Sequence, residues 1–244
     1  MIISKIVVAS AWLLVTAGLM TLLIAANKKN QRQVCRDVIV NIQNAADNIY
    51  VDQTEILQQL ESVQGSLINK AVQDIKITRL EEKLKRHQWI KNAELYMDSR
   101  NVLHVVVTER QPIARVITRA GHSFYIDNEG KKMSLVDGIA VRLPVITNFT
   151  SAIKWSNKDS ALMNGLLDML HYLKKDSFWN AQVGQIDVLN DHTIEIIPVI
   201  GNHIIKLGAP ENIEYKLHNL FVFYKEILTK TGFDKYSILD IRFK

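Results

Sequence analysis

Apolar and polar positions change their spacing several times along the chain, and each change predicts a new element. Alternating apolar residues across VIVNIQ, residues 38–43, predict a strand. Apolar residues at helical spacing follow within 51–60 and 77–84, and alternation returns on both sides of a polar loop at residues 98–101. The first part of the chain is therefore expected to form a compact α+β module in the order β-α-α-β-β.

Both predicted helices begin with the sequence pattern of a capping box. Asp52 is followed three residues later by Glu55, and Thr78 is followed in the same way by Glu81. In a capping box the first side chain accepts a hydrogen bond from a backbone N–H of the first helical turn. Asp52 and Thr78 are therefore predicted to be the N-cap residues of the two helices.

A second module is predicted to begin after Gln111-Pro112, because proline cannot donate a ladder hydrogen bond and so interrupts the preceding strand. The runs IARVIT, FYIDNEG and LPVITNF predict strands, and Leu162 to Leu173 predict an amphipathic helix. The runs VGQIDVL, HTIEIIPVI and HIIKLG predict three more strands. Two-residue turns at 190–191 and 201–202 are expected to join them into an antiparallel meander.

A long helix and a last strand complete the second module. The helix is predicted to begin near Pro210 and to end at Gly232. Its predicted buried stripe consists of Ile213, Leu217, Leu220, Phe221, Tyr224, Ile227 and Leu228. The run SILDIRFK, residues 237–244, alternates and predicts a strand. The expected fold is a mixed α/β domain, dominated by an antiparallel sheet with a closing edge strand.

The amino-terminal segment has a different pattern. Residues 6–26 contain no charged side chain, and a helix of this length spans about 30 Å, the thickness of the hydrocarbon core of a bilayer. A transmembrane helix is therefore predicted, with a cleaved signal peptide as the alternative. The basic residues that follow the segment outnumber those before it, so local charge alone would place the rest of the chain in the cytoplasm.

Composition narrows the function classes. The chain has 244 residues and a formal net charge of +5, but 25 acidic residues are interspersed among 30 basic ones. This mixture is typical of a solvated surface and disfavours nucleic-acid binding. Cys35 is the single cysteine, which excludes an intrachain disulfide and a cysteine-based metal site.

Residue types that carry catalysis occur without the spacing that catalysis needs. The chain contains no H-E-x-x-H, no G-x-S-x-G and no phosphate-binding glycine loop. Glu109 and Arg110 are adjacent, so in an extended chain they point to opposite faces. Asp240 and Arg242 are expected to form a surface ion pair. His104, His192 and His203 are expected to be half-exposed strand residues, so we predict no catalytic, cofactor-binding or metal-binding residue and no enzyme activity.

A family pattern runs through most of the chain. The apolar segment is followed by LEEKLKRHQWIKNAELYMDSRNVLHVVVTERQPIARV, then FYIDNEG, LPVI and LDIRF, and this series resembles the FtsQ/DivIB family of bacterial cell-division proteins. The turn between the two strands of the first module departs from the family pattern, since DSRN has no proline. The resemblance implies a short cytoplasmic start and transmembrane helix at 1–27, a linker at 28–37, a POTRA domain at 38–110 and a β domain at 111–244.

The resemblance also implies a function. Family members are bitopic proteins of the inner membrane whose POTRA and β domains face the periplasm, which would reverse the orientation suggested by the local charges. They are non-catalytic scaffolds of the divisome that bind the single-span coiled-coil proteins FtsB and FtsL. No cofactor, nucleic acid or small-molecule substrate is implied.

The last strand is the predicted partner-binding site. An edge strand exposes unpaired backbone groups, and a strand from another protein can add to it. Leu239, Ile241 and Phe243 are expected to face the helix at 211–229, and Ile238, Asp240 and Arg242 to face outward. The alternative is that this strand lies between two others. In the first module, residues 38–43 and 50–60 are the surface expected to contact further division proteins.

Two other functions remain open from the sequence. A POTRA-type docking module for exported or outer-membrane proteins would use strand addition in the same way. An anchored enzyme of the cell wall would need a convergent set of acid, base or nucleophile, and none can be assembled from the sequence.

Overall fold

The computed structural model describes residues 12–21, 33–43, 50–136, 141–149 and 161–242. The chain divides into two compact units, Met1–Glu109 and Arg110–Lys244. Within residues 12–21 the chain forms a helix, α1, whose side chains are exposed. No helix among the described residues is long and apolar enough to cross a bilayer, and most of the predicted span at 6–26 lies outside the described residues.

The first unit contains the predicted β-α-α-β-β order. Its elements are β1 (Asp37–Gln43), α2 (Gln53–Gln64), a short 3-10 helix (Val72–Asp74), α3 (Ile77–Lys85), β2 (Ile90–Met97) and β3 (Val102–Glu109). The sheet has the order β1-β3-β2, in which β1 is parallel and β2 antiparallel to the central strand β3. The predicted polar loop at residues 98–101 joins β2 to β3.

The helix starts differ from the predicted capping boxes. Asp52 is the N-cap of α2, as predicted, but its side chain makes no capping hydrogen bond. Helix α3 begins at Ile77, so Thr78 lies inside the helix and its predicted role as N-cap is wrong. The carboxylate of Glu81 accepts a hydrogen bond from the backbone N–H of Leu95 at 2.8 Å, which connects α3 to β2 and leaves this carboxylate turned toward the sheet.

The second unit is built on one large sheet. Its strands are β4 (Pro112–Thr118), β5 (Ser123–Asp127), β6 (Lys132–Met133), β7 (Val145–Phe149), β8 (Val183–Val188), β9 (Ile194–Pro198), β10 (Ile204–Gly208) and β11 (Ile238–Asp240). Its helices are α4 (Ala161–Lys175), α5 (Ser177–Gln182), α6 (Ile213–Phe223), a π-helical segment (Tyr224–Leu228) and α7 (Thr229–Thr231). The strand order across the sheet is β11-β10-β9-β8-β7-β4-β5-β6.

This sheet is more mixed than the sequence predicted. Four of its seven strand pairs are antiparallel, and three are parallel: β10 with β11, β4 with β7, and β7 with β8. The meander of β8, β9 and β10 is confirmed, but its predicted two-residue turns are wrong. The connections are Leu189 to Thr193 and Val199 to His203. In the first, His192 has a positive φ of 64°, so the chain reverses over a longer loop.

Helices α4 and α6 pack against one face of the sheet and form the core with it. The predicted stripe of the long helix is buried at Ile213, Leu217, Leu220, Tyr224 and Leu228. Ile227 is 38 % exposed, which contradicts its predicted burial. The π-helical segment holds more residues per turn than an α-helix, so it moves Ile227 off the buried face while Leu228 stays on it.

Candidate functional site

Strand β11 forms one edge of the large sheet. It is parallel to β10, with Ile238 opposite Ile204 and Leu239 opposite Ile205. The backbone N–H of Ile204 donates to Ser237 O at 3.0 Å, and the N–H of Ile241 donates to Lys206 O at 3.0 Å. Among the described residues, no other strand pairs with β11.

The two bonds to β10 define which backbone groups of β11 point away from the sheet. Both N–H and C=O of a strand residue lie on the same side of the strand, and the side alternates from one residue to the next. Ser237 and Ile241 bond to β10, so Leu239 faces β10 as well. The N–H and C=O groups of Ile238 and Asp240 therefore face the outer side of the edge.

An apolar groove lies beside β11 on its helix-facing side. Leu239 is only 7 % exposed, and Ile241 packs partly against the core. The groove has a volume of about 210 Å³ and is lined by Asn219, Leu220, Phe223, Leu239, Asp240 and Ile241. Phe243, the remaining residue predicted to face the helix, lies outside the described residues. An added strand could place side chains of its inward row at this groove.

A row of exposed isoleucines lies on the other face of the same strands. Ile238 is opposite Ile204, and Ile205 pairs with Ile196 of the antiparallel strand β9, which places Ile197 next to Ile204. Ile238, Ile204 and Ile197 are 49 %, 38 % and 37 % exposed. We call these three residues the isoleucine row, and it continues the open edge as an apolar strip across three strands.

A charged row runs beside the isoleucine row. Asp240, Lys206, Glu195 and Asp187 are in register across β11, β10, β9 and β8. Arg242 Nη2 lies 2.6 Å from Asp240 Oδ2, which confirms the predicted surface ion pair. The hydrogen bond from Arg242 lowers the pKa of Asp240, so this carboxylate is ionised at neutral pH.

Glu109 and Arg110 lie at the boundary of the two units but bind separate partners. Glu109 Oε1 accepts hydrogen bonds from the backbone N–H groups of Tyr50 and Val51 at 2.9 and 2.8 Å. Arg110 Nη1 lies 2.5 Å from Asp127 Oδ2, in an ion pair that is almost fully buried. Burial raises the pKa of Glu109. Each side chain therefore stabilises its own unit, and the two have different partners, as expected for adjacent residues that point to opposite faces.

The histidines predicted to be half-exposed differ in how deeply they are buried. His203 is 2 % exposed, so its predicted half-exposure is wrong, and its Nε2 lies 2.5 Å from the hydroxyl of Tyr224 in the π-helical segment. Burial lowers the pKa of His203 and raises the pKa of Tyr224 to about 12. His104 is half-buried, as predicted, and stacks on Tyr96, whereas His192 is exposed in the loop after β8, so its predicted half-exposure is wrong. Across the described ranges, no three His, Cys, Asp or Glu side chains are placed to hold a metal ion.

Sequence reasoning identified β11 but missed the two surfaces that flank it. The isoleucine row depends on the register of three strands, and the groove depends on how α6 packs against β11. A partial signal was present, since Ile197 and Ile204 occupy the outward positions of strands whose inward positions are also apolar. A single exposed isoleucine is ordinary, so the signal becomes informative only when the strand register shows that three of them form a contiguous strip.

Sequence comparison agrees with this architecture. The model of the family described as "FtsQ/DivIB, C-terminal related" matches residues 111–244, which is more than half of the chain. The chain belongs to the FtsQ/DivIB family. A second model, described as "POTRA-like domain", matches residues 33–108.

A relative of this FtsQ/DivIB family member is the cell division protein FtsQ of Geotalea daltonii. The two are 24 % identical over 170 residues, which cover 68 % of this chain and 61 % of the relative. The match thus spans about three fifths of the length of that protein.

Proposed function

We propose that this protein is a non-catalytic, membrane-anchored scaffold of the bacterial cell-division apparatus that recruits single-span coiled-coil proteins similar to FtsB and FtsL. Its membership of the FtsQ/DivIB family and its similarity to a cell division protein support this role. The POTRA-like first unit would contact further division proteins through residues 38–43 and 50–60.

The observation that carries the proposal is the open edge of β11. The outward backbone groups of Ile238 and Asp240 can pair with a strand from a partner, and the remaining predicted contacts come from Leu239, Ile241, Arg242 and Phe243. Each backbone hydrogen bond contributes about 0.5–1.5 kcal/mol net, so the bonds alone give weak binding. Side-chain burial must supply the rest of the affinity.

The surfaces that flank β11 define the chemistry of the partner strand. Side chains on one face of an added strand would enter the groove beside Phe223 and Leu239, and those on the other face would lie next to Ile238. Burial of apolar area contributes about 25 cal/mol per Å², so aliphatic or aromatic residues on both faces would bind best. The partner segment is therefore expected to be apolar at most of its positions.

The anchor is part of the proposal. Residues 6–26 carry no charge, and the part of this segment that the structure describes is helical, with Trp12, Leu13 and Leu14 between 67 % and 76 % exposed. A helix with such side chains is stable in lipid and costly in water. We propose a single span of the inner membrane, with both units in the periplasm as in the family.

A proline at Asp240 tests the binding edge. Asp240→Pro removes an outward N–H and leaves the bonds of β11 to β10 in place. We expect the affinity of the full-length protein for the FtsB-like protein of the same organism to fall at least about tenfold, since a bond is lost and the ring obstructs the added strand. Proline at Ile241 is a poorer test, because the N–H of Ile241 donates to Lys206 O.

Two controls make the result specific. Asp240→Ala removes the side chain but keeps the N–H. Lys132→Pro places a proline at the opposite edge, where Lys131 bonds to β5 and the N–H of Lys132 therefore faces outward. Binding should be weakened by Asp240→Pro and retained in both controls. Equal binding by all three folded variants would reject strand addition, and hydrolysis of glycan or peptide by the protein would favour a cell-wall enzyme.

A further inference from the structure

A basic groove lies on the first unit, between the end of α2 and the exposed face of α3. It has a volume of about 370 Å³ and is lined by Ser62, Val63, Arg79, Glu82, Lys83 and Arg86. The opposite side of α3 packs into the unit through Leu80 and Leu84, which are fully buried. The groove is therefore a concave surface on a helix whose position is fixed by the core.

The cations of the groove have no carboxylate partner among the described residues of the unit. Arg79, Lys83 and Arg86 follow each other at helical spacing and are exposed. Within the part of the chain that the structure describes, none of the three forms an ion pair with a carboxylate. Glu82 is the one acidic residue among the lining side chains, so the groove carries a net positive charge.

The first described residues after the apolar segment are held by the connection that leads into α3. The N–H of Cys35 donates to Lys70 O, and the N–H of Val72 donates to Gln33 O, so residues 33–35 contact the connection between α2 and α3. The side chain of Gln64, at the end of α2, bonds to the backbone of Lys76, immediately before α3. Residues 33–35 and Gln64 therefore contact the same connection, which leads into α3, the helix that carries the groove.

The length of the connecting segment limits the distance to the anchor. Six residues lie between Ala26 and Gln33, and the seven Cα–Cα steps of an extended chain span at most about 3.5 Å each, or about 25 Å in total. If residues 6–26 span a bilayer, this connection keeps residues 33–35 within about 25 Å of the lipid surface. Electrostatic attraction acts over about 8 Å at physiological salt, so a basic surface that reaches the headgroups within this tether would be attracted to anionic ones.

We propose that the basic groove binds the phosphate groups of anionic phospholipids in the bilayer that anchors the chain. Guanidinium groups form paired hydrogen bonds with phosphate oxygens, and Lys83 adds a flexible ammonium between Arg79 and Arg86. The proposal rests on the membrane anchor of the proposed function. An acidic protein segment would satisfy the same charges, but the short connection between this unit and the proposed anchor favours the lipid.

The test uses the full-length protein in nanodiscs of neutral lipid alone and of neutral lipid with about one third anionic lipid. Hydrogen exchange of residues 77–86 should be at least about tenfold slower in the anionic discs, since each of the three cations contributes about fivefold in affinity and the three together about a hundredfold. The difference should disappear in the variant Arg79→Gln, Lys83→Gln, Arg86→Gln. It should persist in Lys174→Gln, Lys175→Gln, Lys235→Gln, which removes the same charge from exposed positions of the second unit.

Other outcomes would reject the proposed headgroup site. Equal exchange in both discs, or equal loss of protection in both triple variants, would reject a headgroup site in this groove. Protection by soluble glycerol phosphate or by a polyglutamate peptide in neutral discs, without protection by anionic discs, would assign the groove to a soluble phosphate or to an acidic protein. Failure of the chain to co-elute with either disc would reject the anchor, and with it this proposal.

Discussion

The two edges of the large sheet are built in opposite ways. Both edge strands are short, with two residues in β6 and three in β11, but β6 carries Lys132, and lysine on an edge strand opposes pairing with other chains. The turn before β6 is closed by Asp127, whose Oδ1 accepts from the N–H groups of Glu129 and Lys131 at 2.9 and 2.7 Å. At the other edge, β11 presents outward backbone groups between an apolar groove and the isoleucine row. One sheet thus has a protected edge and an edge suited to a partner.

The protected edge depends on a buried charge network, and its loss is expected to have the largest effect. Asp127→Ala removes the acceptor of both turn N–H groups and leaves Arg110 buried beside the exposed Glu129 alone. Breaking a buried ion pair costs about 3–5 kcal/mol of unfolding free energy. Denaturant unfolding of the full-length protein would measure this loss, and hydrogen exchange should show faster opening of residues 123–133. A variant as stable as the wild type would contradict the assigned role of Asp127.

The open edge is held by the apolar contact of Leu239, and its loss is expected to have a smaller effect than the loss of Asp127. Leu239→Ala removes the buried side chain that holds β11 against the helices, and we expect a loss of about 2 kcal/mol, at the low end for a buried leucine because the strand lies at an edge. The control Ile238→Ala changes an exposed neighbour and should alter stability by less than about 0.5 kcal/mol. Equal losses in the two variants would show that β11 is not held through Leu239.

Partner binding should depend on the isoleucine row. The double change Ile204→Ser, Ile238→Ser removes exposed apolar area without opening a cavity, so the free energy of unfolding should change little. The affinity for the FtsB-like partner should fall about tenfold, because apolar burial contributes about 25 cal/mol per Å². Tyr215→Ser is the matched control, since Tyr215 is 55 % exposed on α6. Unchanged affinity of the double variant in a binding assay would limit the interface to the backbone edge and the groove.

The open edge is also expected to be sensitive to pH through His203, which directly precedes β10. Burial is the largest cause acting on His203 and lowers its pKa, so the unfolded chain binds a proton more readily than the folded one. The stability from this residue is complete above pH 6.5 and decreases as the pH falls toward the folded pKa. Hydrogen exchange of residues 203–208 and 237–242, corrected for intrinsic rates, should therefore show more opening at pH 5.5 than at 7.5.

The control for this pH effect is His203→Gln, which cannot be protonated in this range. Its opening of residues 203–208 should be the same at both pH values, even if the variant is less stable overall. A wild-type protein without pH dependence, or a variant that retains it, would assign the titration to another group.

The elements of both units could be predicted because their signals are local. Alternation in VIVNIQ and in the strands of the meander identified the strands, and the spacing of Leu217, Leu220 and Tyr224 identified the long helix. The position of β11 at the edge, by contrast, follows from its parallel pairing with β10, which depends on the path of the intervening helix. Alternation alone does not distinguish an edge strand from an inner strand.

The features that the sequence did not predict depend on contacts between distant residues. Thr78 has the sequence pattern of a cap, but α3 begins one residue earlier and Glu81 bonds to β2. His203 has the alternation of a half-exposed strand residue, but it bonds to Tyr224 across the core. The basic groove combines Ser62 with Arg86, which local patterns cannot place together.

The π-helical segment at Tyr224–Leu228 has a consequence for chain length. Its wide turn accommodates one residue more than a regular helix needs, and Lys225, Glu226 and Ile227 within it are exposed. Deleting one of these three would let the wide turn relax to ordinary α-helical winding, with Tyr224 and Leu228 still directed to the interior. A deletion of one residue is therefore expected to be tolerated best within residues 225–227. The same deletion one turn earlier would rotate Leu217 and Leu220 away from the sheet.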